Sequence, residues 1–235
     1  MAKLSFNAVS GEIVDECQVY EFSIFKSLAD PCPQTITLDE FVEMIQGGEF
    51  SDEIKRLRAE QDEDRQKAIK RTLPCVTVSG VFSGGHHSTN LASHSGLICL
   101  DFDADQNAAL AGMADHWRDK LAEDQFVKHA FVSARGNGVA AICRIEPDNH
   151  AMAFDALAVY FKKEHGLNVD KACRDVTRLR FMSWDDGIAE NTNSRVFKRY
   201  TLAQEVNPAA PQQQQHVEAP TEAIDTTLTK TRKNE

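Results

Sequence analysis

The chain has no cysteine pair at C-x-x-C spacing, no long uninterrupted apolar run and no excess of positive charge. Each lack excludes a class. The six cysteines, at positions 17, 32, 75, 99, 143 and 173, stand singly and have no histidine pair at zinc spacing beside them. A structural zinc site or a disulfide framework is therefore not expected, and the thiols are read as reduced. Cys99 and Cys143 lie inside apolar stretches, where a thiol serves as a small core hydrophobe. Nothing approaches the roughly 18 apolar residues of a membrane span, and the N-terminus lacks the basic-then-apolar pattern of a secretory signal. The expectation is a cytoplasmic protein with no membrane partner. A formal net charge of −10 argues against a general nucleic-acid coat protein, whose affinity comes from neutralising phosphates. It leaves room for an enzyme with a local basic groove. Positions 170–200 supply one candidate, with Lys171, Arg174, Arg178, Arg180, Arg195, Lys198 and Arg199 set against five acids.

At 235 residues, 42% hydrophobic and 26% charged, the chain can form one main globular core with appendages. Strand candidates run from Leu4 to Val9 and from Val19 to Ile24. In Thr37-Leu38-Asp39-Glu40 the Thr37 hydroxyl and the Glu40 carboxylate can satisfy each other's free amides, a capping box that starts a helix ending at Gly47-Gly48. Ser51 to Arg71 carries dense charge of both signs with few apolar anchors, and reads as a largely solvated helix without an assigned function. Leu73 to Phe82 is extended and β-branched, interrupted at Gly80.

From Ser95 onward the elements become regular. A strand from Gly96 to Asp103 precedes a helix from about Asn107 to Asp124, strands Val127 to Ser133 and Val139 to Ile145, a helix from Asn149 to His165, and a strand from Arg178 to Ser183. This β-α-β-β-α-β order predicts an α+β fold of the split β-α-β type, with an antiparallel sheet and both helices on one face. The first strand is expected at the centre, flanked by the third and fourth, with the second face of the sheet free for ligands. Residues 1–72 are read as an N-terminal extension packed on a core of residues 73–203. Residues 204–235, rich in proline and glutamine, are read as a disordered polar tail.

Three segments carry chemistry. Leu97 to Asp105 is an apolar run ending in acids two apart, so Asp101 and Asp103 share one face of a strand while Phe102 points to the other. Their α-carbons lie roughly 7 Å apart, within reach of one hard cation or a pair of them. Next, Phe131 to Val139 contains Ser133-Ala134-Arg135-Gly136-Asn137-Gly138. It reads as a hairpin whose Asn137-Gly138 supplies positive φ angles and whose amides, with Ser133 and Arg135, can meet a phosphate. Third, Asn168 to Phe181 alternates acids and arginines just before a strand. It offers Asp170 or Asp175 as a further acid and places Arg178 and Arg180 on one face; an Asp175–Arg178 salt bridge is the structural alternative.

Taken in this order, with Leu73-Pro74 and Ser79-Gly80-Val81-Phe82 ahead of them, the segments resemble the primase-polymerase domains of the archaeo-eukaryotic primase superfamily. The group similar to it is that of the VirE N-terminal type, found in phage and mobile-element replication proteins. The resemblance implies an RRM-like catalytic core over roughly Thr37 to Tyr200 and a DNA primase/polymerase-type nucleotidyltransferase. Asp101, Asp103 and Asp170 would be the catalytic ligands of Mg²⁺ or Mn²⁺, with Asp175 as the alternative to Asp170. Ser133, Arg135, Gly136, Asn137, Gly138, Arg178 and Arg180 would bind nucleotide. Implied partners are a single-stranded DNA template, an NTP or dNTP, and a separately encoded helicase. Members of that group place a His or Lys two residues after the last glycine of the hairpin, where this chain has Ala140. Arg135 or Arg144 would then supply the phosphate contact, or the chain would be a non-catalytic nucleotide- or nucleic-acid-binding module of the same fold. A phosphatase reading, with Asp101-Phe102-Asp103 and Asp185-Asp186 as its acidic motifs, ranks last because Asp105 stands where that class expects Thr or Val.

Overall fold

Alternation along a single strand organises the molecule. The computed structural model describes residues 18–202, preceded by two short strands, β1 (Ser5–Phe6) and β2 (Ile13–Val14), that pair antiparallel. The strand expected at Leu4 to Val9 is described only over β1, and Cys17 and the tail from 204 lie outside the described residues. The order continues as β3 (Glu21–Phe25), β4 (Gln34–Thr37), α1 (Leu38–Gly47), α2 (Ser51–Ala59), α3 (Glu63–Lys70), β5 (Cys75–Thr77), β6 (Gly80–Phe82), β7 (Leu91–His94) and β8 (Leu97–Asp103). It ends with α4 (Ala114–Ala122), β9 (Val127–Val132), β10 (Gly138–Arg144), α5 (His150–His165), β11 (Arg180–Phe181) and β12 (Ala189–Glu190).

Local rules account for most boundaries. Thr37 accepts from the Glu40 amide at 3.2 Å while the Glu40 carboxylate accepts from the Thr37 amide at 2.7 Å, the reciprocal cap that begins α1. Gly48 and Gly166, at φ of +77° and +72°, end α1 and α5 in the left-handed conformation. The charged run splits at 60–62, where the Asp62 carboxylate accepts from the Arg65 amide and starts α3. The helix expected from Asn107 begins only at Ala114. A 3₁₀ turn at Ala108–Leu110 and Gly112 at φ +68° occupy the preceding residues.

The chain forms a mixed α/β structure of several antiparallel sheets with five helices among the described residues. The principal sheet has the order β12-β9-β10-β8. Ile98, Leu100 and Phe102 of β8 point to one face, where α4 and α5 cover them with Trp117, Leu121, Leu157 and Phe161. Phe102 and Phe161 meet edge to face at 5.1 Å. Two expectations need correcting. The strand at Arg180–Phe181 does not flank β8; it joins a second sheet, β11-β5-β3-β4, through Arg180 opposite Val76. β8 therefore lies at the edge of its sheet, and the four-strand RRM-like order with β8 at the centre is not formed. The second face of the principal sheet is also not free. Leu97, Phe131, Ala140 and Ile142 are buried there against Phe22, Leu38, Phe41 and Ile45, with Phe41 edge to face between Phe22 at 5.6 Å and Phe131 at 5.7 Å. A third cluster seats α2 and α3, through Ile54, Leu57 and Ile69, on Ala134, Phe181 and Trp184.

Candidate functional site

The apolar layer covers only part of the second face. Beyond Cys99 the same alternation brings Asp101 and Asp103 to the surface of a cleft of about 300 Å³, lined also by Lys70, Asp105, Ser133, Arg135, Asn137, Arg178, Arg180 and Phe181. Ala140, opposite Asp101 in the β8–β10 register, is fully buried among aromatic and aliphatic side chains. A cationic side chain has no room there without displacing that packing.

The hairpin between β9 and β10 is closed by the Ser133 amide donating to the Gly138 carbonyl and the Gly136 amide donating to the Ser133 carbonyl, each at 2.8 Å. Its left-handed residue is Gly136, at φ +80°, whereas the sequence pointed to Asn137-Gly138. Gly138 has a different role. It faces Asp103 in the ladder, and a β-carbon there would come within 2.7 Å of the Phe102 carbonyl oxygen and 2.9 Å of Asp103 Oδ1. Arg58, from α2, holds the turn from outside by donating to the carbonyls of Ser133, Ala134 and Trp184 at 2.8–3.3 Å.

The third acid arrives through a backbone clamp. Asn107 donates to the carbonyls of Asp103 and Asn168, at 3.0 and 2.9 Å, and accepts from the Asn168 amide at 2.6 Å. Two residues on, the Asp170 amide donates to the Asp101 carbonyl at 2.9 Å, extending the edge of β8 by one bond. Oxygens of Asp101 and Asp170 and the sulfur of Cys173 then lie within 4.8 Å of one another. The Cys173 thiol is buried and pushed well up, first by burial and then by the Asp101 charge, so it stays protonated and offers only a weak contact, 3.8 Å from Asp101 Oδ2. Of these groups, the carboxylates have the chemistry that suits a hard cation. Asp103 stands beside this cluster, its carboxyl raised by burial and by the neighbouring Asp101 charge.

Two arginines sit on these acids. Arg180 is paired with Asp101; burial is the strongest single influence and pulls its basicity down, but the Asp101 charge and hydrogen bond, with Cys99 and Cys173 beside it, together raise it above the ordinary value. Arg178 bonds Asp170 at 3.0 Å. Asp175 stands apart. It accepts from the Thr177 amide and hydroxyl, both at 2.9 Å, is exposed and joins no acid cluster. The alternative of an Asp175–Arg178 bridge is not formed; Arg178 pairs with Asp170 instead. Asp185 is buried and bound by Arg118 at 2.9 Å and the Val132 amide at 2.7 Å, a structural tie that leaves it no part in a phosphatase motif. The basic run at 170–200 does not form an open groove. Arg174 pairs with Asp155, Lys198 with Glu146, and Arg199 lies over the rings of Phe126 and Tyr160. Lys70, Asn107 and Arg58 were not singled out in the sequence, because a mixed-charge run and an ordinary helix start carry no periodic signal for a distant site.

Five of the cysteines are described and all are free, and no helix among the described residues is long and apolar enough to cross a membrane. No curated protein and no solved structure matches the chain. A family described as "BT4734-like, N-terminal domain" matches residues 68–189, more than half of the chain and the whole stretch from Lys70 through Arg180. That match overturns the resemblance to primase-polymerase domains of the VirE N-terminal type: the spaced acids and the glycine hairpin that carried it are short patterns, and they lie inside a different family. The chain belongs to the BT4734-like N-terminal domain family.

Proposed function

We propose that the cleft at the end of β8 is the active site of a metal-dependent nucleotidyltransferase acting on single-stranded DNA. The observation that carries this reading is the convergence, at one end of an otherwise apolar sheet face, of acids from two distant segments beside a glycine hairpin and a set of cations. Phosphoryl transfer requires chiefly positioning and neutralisation of charge. Asp101, Asp103 and Asp170 are the donors for Mg²⁺ or Mn²⁺, which would activate a 3′-hydroxyl and stabilise the departing pyrophosphate. Ser133, Arg135 and the hairpin amides would meet the incoming nucleotide, and Arg178 and Arg180, which hold Asp170 and Asp101, would supply positive charge beside the phosphates.

The experiment is template-dependent incorporation of NTP or dNTP with Mg²⁺ or Mn²⁺. Wild type incorporates, and Asp101→Ala and Asp103→Ala lose at least about 10²-fold of that rate. Wild type that incorporates nothing across templates and metals removes the enzyme reading.

One observation favours a second reading. Asp101 and Asp170 are each already neutralised by an arginine, an arrangement that is complete without metal. In that case the domain binds nucleotide or single-stranded DNA without catalysis. Metal-independent binding of DNA that persists in Asp101→Ala marks this outcome.

A further inference from the structure

Most cations near the acids are spoken for, but two are not. Lys70, the last residue of α3, and Arg135, on the hairpin, line the same cleft as Asp101 and Asp103. Neither has an ion-pair partner among the described residues, although Lys67, one turn earlier on α3, pairs with both Glu63 and Asp64. The Nε of Arg135 is buried without any hydrogen-bond partner, an arrangement that leaves a charged donor unsatisfied. Lys70 is half-buried, with its ammonium 5.3 Å from the centre of the Phe181 ring. Burial lowers its basicity, and the like charges of Arg135 and Arg180 lower it further. Asp101 and Asp103 offset part of that repulsion, but neither cation forms an ion pair with them, and two unpaired cations in one cleft form a receptor for an anion with several charges.

We propose that Lys70 and Arg135 form a polyphosphate-binding pair, which takes the phosphate chain of the substrate on the wall of the cleft facing Asp101 and Asp103. This deepens the nucleotidyltransferase reading by naming a polyphosphate as the substrate class, and it rests on that reading for the link to catalysis; the anion site itself stands on the two cations alone.

The test is titration of the whole chain with inorganic tripolyphosphate, without divalent metal, followed by calorimetry and compared with orthophosphate. Wild type binds tripolyphosphate and discriminates against orthophosphate. Lys70→Gln and Arg135→Gln each weaken binding at least tenfold, and Lys67→Gln, on the same helix, leaves it within twofold. Thermal unfolding guards against misfolding, with Lys70→Gln expected at or above the wild-type midpoint because a repelled, desolvated charge is removed. A folded Lys70→Gln that binds as wild type overturns the proposal, as does a wild type that does not bind tripolyphosphate. A wild type that incorporates nothing while its tripolyphosphate binding is sensitive to Lys70 defeats the enzyme reading alone; robust metal-dependent incorporation indifferent to Lys70 defeats this proposal alone.

Discussion

The two ends of one sheet face make opposite uses of the same alternation. At the covered end Leu97, Phe131, Ala140 and Ile142 disappear beneath Phe22, Phe41 and Ile45, and a histidine caught there, His129, has its basicity pushed down to about 4 by burial and by the Lys128 charge. At the open end, one or two positions further along the same strands, Asp101 and Asp103 face a cleft with Lys70, Arg135, Arg178 and Arg180. The backbone pattern is identical across the boundary. What differs is the layer above it: α1, β3 and β5 cover the first, whereas α3 and β11, the edge strand of that second sheet, bring charge to the second. A strand can therefore be read for which residues share a face, but the fate of that face is decided by elements distant in sequence.

The covered end breaks most readily by loss of its keystone. Phe41→Ala removes a fully buried ring that touches both Phe22 and Phe131, and should destabilise the fold by about 3–5 kcal/mol in denaturant titrations. A loss below about 1 kcal/mol would mean that the second layer does not hold the sheet. A smaller effect comes from His129. Its folded pKa, about 4, lies below the model-peptide value of 6.5, so the unfolded state binds more protons between these limits. Stability from this group is full above pH 6.5 and is lost as pH falls toward 4, by up to about 3 kcal/mol. His129→Gln should flatten that part of the stability–pH curve, and an unchanged slope would show that the ring is not held neutral. At the boundary, Gly138→Ala forces a methyl group against the Phe102 carbonyl and should cost about 1–3 kcal/mol by thermal unfolding while displacing Asp103. Wild-type stability in that variant would show that the hairpin and β8 approach less closely than described.

Much of this frame was legible from residues near one another in the chain. The Thr37–Glu40 cap, the alternation of β8, the strands β9 and β10 and the glycine that ends α5 are local signals, and each element formed where its residues called for it. The acids of β8 were readable too, but the approach of Asp170 was expected from a strand beside β8 that does not form there; the Asn107 clamp and the Asp170–Asp101 backbone bond bring it in instead. The partner of β11 was not readable. A two-residue strand carries no information about its neighbour, and Arg180 pairs with Val76 across more than a hundred residues of sequence. Lys70 was hidden for a related reason: on a helix of alternating charge, a cation without an ion pair is tied to a distant site only once the cleft beside it is seen.

On the proposed reading, the open end of the face binds a divalent cation through carboxylates on two segments. Titration of Mn²⁺ into the metal-free protein, followed by electron paramagnetic resonance, tests it most directly. Wild type should bind saturably, Asp101→Asn and Asp170→Asn should each lose at least about tenfold in affinity, and the exposed comparator Asp175→Asn should not change. Binding that survives both substitutions, or that falls equally in Asp175→Asn, would contradict it.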